Sequence, residues 1–328
     1  MSTERLRSIV PMFGGATNYV ETLNATLEFV ETNQPTTDEL VGWHRGRFVN
    51  VSSWDGIVQR LTYLERVGFL HREDERWELG QAGTEYFPEQ ETATLFRIMC
   101  SRNVGLRSLL YALSAGPMTI KEISDQQLDT HPELGWSRGE TDMARQRANW
   151  LRSMGLVQKH GTEYKLTEEG HRFAEDAVTE WAGVIEPAGE ATSDVTATTY
   201  ETVARSRGID PEFRETVLSR YDRTCPVSGV DHPGLLDVAH VLSWSDFPAH
   251  RAKISNVLAL GKTHHAAFDR ELFTIDSEFR LQINHSFETE SEVLTRTIID
   301  QAGEQLSNLD GRVDPKYLRR RNSLLEWV

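Results

Sequence analysis

Apolar positions in the first half of the chain follow one pattern twice. Ile57, Leu61 and Leu64 recur at helical spacing, as do Ala144, Ala148 and Leu151. Each run stops at a glycine, Gly68 or Gly155, the residue that most readily ends a helix in the left-handed conformation. A short apolar strand follows, then a polar turn ("HREDER", "QKHGTE"), a second strand ("WEL", "YKL") and a helix-starting "GQAG" or "TEEG". The pattern predicts a helix, a β-hairpin and a further helix in each copy. Upstream, "TTDELV" and "MTIKEI" predict short helices capped by Thr37 and Thr119.

The copies align without a gap from Arg60 and Arg147, at an offset of 87 residues. Tyr63 falls on Trp150, Gly68 on Gly155, Trp77 on Tyr164 and Gly83 on Gly170. Helix, helix, hairpin, helix resembles the winged-helix fold, a helix-turn-helix variant. The resemblance implies that the helices near 53–66 and 140–153 enter the DNA major groove. The second offers Arg145, Arg147, Asn149 and Arg152, with Arg138 just before it and Lys159 on the hairpin; the first offers Gln59, Arg60 and Arg66. Trp54 and Trp136 are expected to pack or anchor loops, the other option being an aromatic pocket for a flipped or methylated base.

Residues 186–199, "EPAGEATSDVTATT", are small and polar and predict a flexible connector. The expected organisation is a multidomain chain: α+β winged-helix domains at 1–90 and 91–185, a linker at 186–207, and a different α+β domain at 208–328.

Composition narrows the setting. No run of 18 apolar residues occurs and the first residues lack a secretory pattern, so a cytoplasmic protein without a membrane partner is expected. The two cysteines, Cys100 and Cys225, are too far apart in sequence for a CxxC knuckle. Net charge is −15, and only six of the 35 basic residues are lysine, a balance that suits a cytosol of very high salt. In molar salt the Debye length falls to about 3 Å, so acidity does not exclude DNA. The charge is uneven: residues 1–199 hold 19 basic and 30 acidic groups, and 200–328 hold 16 and 20.

In the last third, His240 ends an apolar run, Asn256 follows sixteen positions later and His265 nine beyond that. Together with Cys225, Gly229, Ala239, Val241, Trp244, Leu258, Leu260, Phe268, Asp269, Pro315 and Leu318, these residues resemble the HNH endonuclease family, in its restriction-enzyme-like branch. The resemblance covers about 211–328 and implies a ββα-metal nuclease domain. It implies His240 as general base, Asn256 holding the loop that orients the base or reaching the metal, and His265 as a metal ligand. Phosphodiester hydrolysis needs a base to activate water and a cation to neutralise developing charge, so Mg or Mn is the expected cofactor and double-stranded DNA the expected partner.

Many HNH enzymes carry an acid directly before the base, where this chain has Ala239. Asp237 is the nearest carboxylate, but on a regular strand it points away from His240. It is retained as a candidate ligand, with Asn256 and Asp269 as rivals. On the following helix, expected to start at a Thr263 cap, His264 shares the packed side with Phe268 and Leu272, and His265 faces the metal.

The expected function is a metal-dependent DNA endonuclease of restriction or defence type, with modification-dependence and a homodimeric state left open. The alternatives are a non-catalytic DNA-binding regulator with a degenerate HNH domain, and a nuclease whose winged helices bind a protein.

Overall fold

The computed structural model describes residues 5–49, 51–183, 209–306 and 308–328 as a mixed α+β chain. They form two compact units, 1–173 and 174–328. The connector expected at 186–207 lies outside the described residues. No helix among the described residues is long and apolar enough to cross a membrane.

The first unit runs α1 (Tyr19–Asn33), α2 (Thr37–Arg47), α3 (Trp54–Val67), β1 (Leu70–Glu73), β2 (Arg76–Leu79), α4 (Gln81–Tyr86), α5 (Thr92–Arg102), α6 (Leu106–Leu113), β3 (Met118–Thr119), α7 (Ile120–Thr130), α8 (Asp142–Ser153), β4 (Val157–His160) and β5 (Glu163–Leu166). Helix α9 (Glu168–Gly183) runs across the division. The repeat is physical. Hairpins β1–β2 and β4–β5 pair antiparallel, and the capping threonine of each copy joins its hairpin, Thr36 as an isolated bridge to Arg76 and Thr119 in the third strand β3, opposite Glu163.

Both threonines close reciprocal capping boxes, with Glu39 and Glu122. The first cap is therefore Thr36, not the expected Thr37, whose hydroxyl instead accepts from the Trp77 indole at 3.0 Å. Gly68 and Gly155 end α3 and the α8 region at φ of +95° and +78°. Gly83 and Gly170 serve close approach, because a Cβ at either would collide with the carbonyl of Phe69 or Leu156.

Both copies fall within the first compact unit, on either side of the boundary expected at residue 90. The N-terminal strand-like segment stitches them. Leu6 bridges Asn103, the Val10 carbonyl accepts from the Trp150 indole at 2.9 Å, and Phe13 lies 4.0 Å under the Arg60 guanidinium. Helix α1 adds a bond from the Val20 amide to Ser153 at 2.8 Å.

This stitching overturns two expected DNA contacts. Arg147 is fully buried and donates to the carbonyls of Val104, Met143 and Arg7, while its guanidinium lies 5.1 Å from the Trp136 ring centroid. Burial pulls its pKa down to about 10, which still leaves it charged. Asn149 is buried too, bonding Arg152 and Tyr19. The cause is helix periodicity: Arg147 falls between Ala144 and Leu151 on the stripe that faces the core. Of the other candidates, Arg145 and Lys159 are exposed, Arg152 is half-buried, and Arg138 is exposed but paired with Asp129 and Asp125. Trp136 anchors a loop through Ser124 at 2.9 Å, and Trp54 stays 41% exposed.

The second unit contains α10 (Pro211–Arg220), β6 (Leu236–His240), β7 (Val257–Gly261), α11 (Lys262–Asp269), β8 (Phe273–Ile275), β9 (Leu281–Ile283), α12 (Glu292–Thr297) and α13 (Pro315–Asn322). Asp210 caps α10 ahead of Pro211, and Asp314 caps α13 ahead of Pro315. Strands β6 and β7 pair antiparallel from Leu236↔Gly261 to His240↔Val257 without a bulge. Helix α10 holds this pair: Arg214 donates to the carbonyls of Pro233 and Leu236, and the buried Tyr221 hydroxyl donates to Val257 at 2.8 Å.

The two kinds of glycine separate in a stability test. Gly170→Ala is expected to lower unfolding free energy by about 2 kcal/mol or more through backbone collision. Gly42→Ala, exposed in α2 with nothing within reach of a Cβ, is expected to raise it by about 0.5–1 kcal/mol. Urea titration of each variant measures the difference.

Candidate active site

Asn256 ends a single helical turn before β7 and is 1% exposed. Its Oδ1 accepts from the Leu242 amide at 3.0 Å, and its Nδ2 donates to the His250 carbonyl at 3.2 Å. The carboxamide is thus turned wholly toward the backbone of the loop after His240. The structure places Asn256 as the clamp of that loop, and its expected role as a metal ligand is not supported by this geometry.

His240 ends β6 with Nε2 at 2.9 Å from the Arg251 carbonyl. A carbonyl only accepts, so Nε2 carries the proton and Nδ1 keeps the lone pair. The ring stacks on Phe213 of α10, centroids 6.3 Å apart, and meets Trp244 edge-on at 5.1 Å. Burial pulls the His240 pKa down to about 4 against the opposing hydrogen bond to Arg251, so the ring is neutral at pH 7. A neutral imidazole with a defined lone pair is what general-base chemistry requires. Arg251 also donates Nε to the Trp244 carbonyl at 2.8 Å and lies 5.0 Å over its ring. Arg251 escaped the sequence reading because its contribution to His240 is a backbone carbonyl, which leaves no side-chain signature.

The unbroken β6 register sends Asp237 to the side opposite His240, and there it meets α11. His265 Nδ1 lies 2.9 Å from Asp237 Oδ2, and Nε2 lies 3.2 Å from Asp269 Oδ2. Burial alone pulls the His265 pKa down, but the hydrogen bonds and charges of the two carboxylates outweigh it and raise the value to about 9. For Asp237, burial raises the pKa, and the bond and charge of His265 reverse the sign to a net lowering. With both carboxylates ionised the trio carries one net negative charge. His240 senses it electrostatically, the His265 charge lowering its pKa and Asp269 raising it.

One imidazole and two carboxylates suit a divalent cation in kind. Their placement does not. The carboxylates stand at opposite edges of one ring, both ring nitrogens are occupied, and among the described residues no three His, Cys, Asp or Glu side chains are gathered so as to hold a metal ion. The expected ligand set of His265, Asp237 and Asn256 is therefore not assembled in this arrangement. Ala239 is fully buried opposite Leu258, packing where many HNH enzymes carry an acid.

His264 is structural, as its side of the helix predicts: it is 4% exposed, and its Nε2 sits 2.8 Å from the Thr297 hydroxyl. The helix start differs from the expected Thr263 cap. Gly261 is the N-cap, without a side-chain bond, because β7 runs directly into α11.

Residues 225–276, which span this site, match a family model described as HNH endonuclease. Among curated proteins none matches the chain. Among solved structures, the chain is similar to the BpuJ1 endonuclease binding domain, determined in complex with pyrene- and phenanthrene-modified DNA. The TM-score is 0.33 and the identity 11%, over 61% of this chain and 95% of that one, a likeness too weak to bear on the fold.

The paired shifts predict a stability optimum. His265, with a raised pKa, contributes fully below its ordinary value of 6.5 and loses the contribution as pH rises through about 9. At about 1.4 kcal/mol per unit this is on the order of 3 kcal/mol. His240, with a lowered pKa, contributes fully above 6.5 and loses it as pH falls through about 4. Denaturation between pH 5 and 10 should show greatest stability near pH 6.5, and Asp237→Asn should flatten the alkaline side. An unchanged alkaline limb in that variant would refute the His265–Asp237 coupling.

Proposed function

We propose that the chain is a DNA endonuclease in which His240 activates the attacking water. The observation that carries this reading is the His240–Arg251 geometry, a neutral imidazole with Nδ1 as its defined lone pair, on a segment matched by the HNH family model. In the step it supports, a water oxygen bonds to phosphorus and a bridging P–O bond breaks. The water proton passes to Nδ1 of His240, and the leaving oxygen takes a proton from solvent. Asn256 keeps the loop carrying Arg251 in place, so the base stays in one tautomer.

Dependence on Mg or Mn is part of the proposal through the matched family, and no step is derived from it. The helix, helix, hairpin, helix copies act as winged-helix readers of double-stranded DNA, through exposed Arg145 and Lys159 with Arg152 and Arg138 at their margin. Restriction-type defence, in the cytoplasm and directed at particular base modifications, is the biological role this combination suits.

A second reading is favoured by the bracketed His265 together with Ala239: a regulator that binds DNA without cutting it. Footprinting without nicking at saturating metal would select it.

His240→Ala is expected to lower nicking of supercoiled DNA by about 10²-fold to 10⁴-fold, under conditions where melting shows the variant folded. EDTA is expected to abolish nicking, and the acid limb of the rate profile should fall near pH 4 instead of 6.5. Equal nicking by His240→Ala would refute the assignment. Methylated and unmethylated substrates run in parallel test the modification-dependent role.

A further inference from the structure

The acidic charge of the second unit is not spread evenly. Residues 269–310, which carry β8, β9 and α12, hold ten acidic and three basic residues. Residues 315–322, the whole of α13, hold four basic residues and no acid, and loop 243–253 holds Arg251, Lys253 and His250 against Asp246 alone.

The basic elements belong to one surface. The Arg320 guanidinium of α13 lies 6.0 Å from the Phe247 ring of the loop, and His250 packs edge-on against Tyr317 at 5.2 Å. Burial shifts both Lys253 and His250 downward; for Lys253 the Glu175 charge opposes and Lys316 adds, and for His250 the charges of Lys253 and Lys316 add and Glu175 opposes. Like charges held this close are unfavourable unless a counter-charge joins them. Asp314 pairs with Lys316 at 2.7 Å and also attracts Arg319, and Glu175 offsets part of the charge on Lys253 and His250. Arg319 and Arg320 are exposed on the same helix.

The surface is also fixed to the base. Arg321 of α13 donates to the Val241 carbonyl, directly after His240, at 3.2 Å and to the Phe268 carbonyl at 2.5 Å. Its ring contact with Phe268, 3.7 Å to the centroid, holds the helix against α11. Displacing α13 would therefore disturb both ends of the site.

We propose that α13 and loop 243–253 form a rail for the phosphate backbone of duplex DNA, leading the strand to His240 and turning the acidic β8–β9–α12 side away from it. The occupant is a polyanion because the rail concentrates cations in a net acidic unit. It is duplex DNA because the rail ends at the base proposed to cut it, so the inference rests on the nuclease reading. Exposed arginines offer short-range forked contacts to phosphate that survive high salt better than a diffuse basic cloud.

The test uses the full chain and a labelled duplex, with affinity read by fluorescence anisotropy over a salt series. Arg319→Gln with Arg320→Gln is expected to weaken binding roughly tenfold at moderate salt. It should also reduce the salt slope by about 1.8, since each lost phosphate contact removes about 0.9. Melting should not change, and Arg296→Gln, exposed on α12, should alter neither quantity. Unchanged affinity and slope in the double variant would overturn the rail, and if the parent chain still nicks DNA the nuclease reading survives that failure. A reduced slope in a chain that never nicks would keep the rail and remove the nuclease. Parent binding to poly-glutamate above its binding to the duplex would assign the surface to an acidic peptide and overturn the proposal.

Discussion

The unbroken pairing of β6 with β7 decides what the site can be. Side chains alternate along a strand, so an in-register pair from Leu236↔Gly261 to His240↔Val257 fixes the parity of every residue between. Asp237 and His240, three apart, must face opposite sides. One reaches α11 and brackets His265; the other reaches α10 and rests on Phe213. A single bulge would place both on one face and would change the chemistry. Ala239 follows from the same parity, being packed with the core strands where an acid would be buried.

From this parity two electrostatic environments arise within one small unit. Around His240 the neighbours are aromatic rings and a carbonyl, and the neutral ring is favoured. Around His265 they are carboxylates, and the cation is favoured. The residue types are identical and the pKa directions opposite, because one imidazole is desolvated with a backbone carbonyl as its hydrogen-bond partner and the other is desolvated between two carboxylates. Asn256 connects them mechanically: it sits at the head of β7, and its amide fixes the loop from which Arg251 holds His240.

Much of this was legible in the residues. Glycine positions, strand alternation and the capping residue Thr119 are local effects, and the repeat amplified them by stating each twice. The His240, Asn256 and His265 spacing was also legible, as was the packed side of α11 that claims His264. What escaped is what sequence does not encode locally. Thr36 displaced Thr37 because the Trp77 indole takes the second hydroxyl from across the hairpin. Arg147 and Asn149 looked like reaching polar groups, yet the stripe through Ala144, Ala148 and Leu151 already placed Arg147 in the core. Arg60, its repeat equivalent, gave the parallel signal: each arginine donates to the carbonyl four residues earlier and lies over an aromatic ring. The engagement of both His265 nitrogens depended on Asp237 and Asp269 arriving from different elements.

The arginines therefore fall into two populations whose difference is solvation. Arg147 donates to three backbone carbonyls and Arg60 to one, and burial lowers the pKa of both. The guanidinium tolerates this because it is more weakly hydrated than an ammonium and offers five donors, so carbonyls can replace much of its water shell. Those charges stiffen the fold and cannot also meet DNA. The exposed arginines of α13 keep theirs available, and among the described α-helices of the second unit α13 is the one that carries no acid. In a chain with net charge −15 the summed charge steers polyanions away, so the proposed contact with a polyanion would come from local geometry and not from overall potential. Counting basic residues cannot locate such a surface; separating the arginines that have already exchanged water for carbonyls from those that have not can.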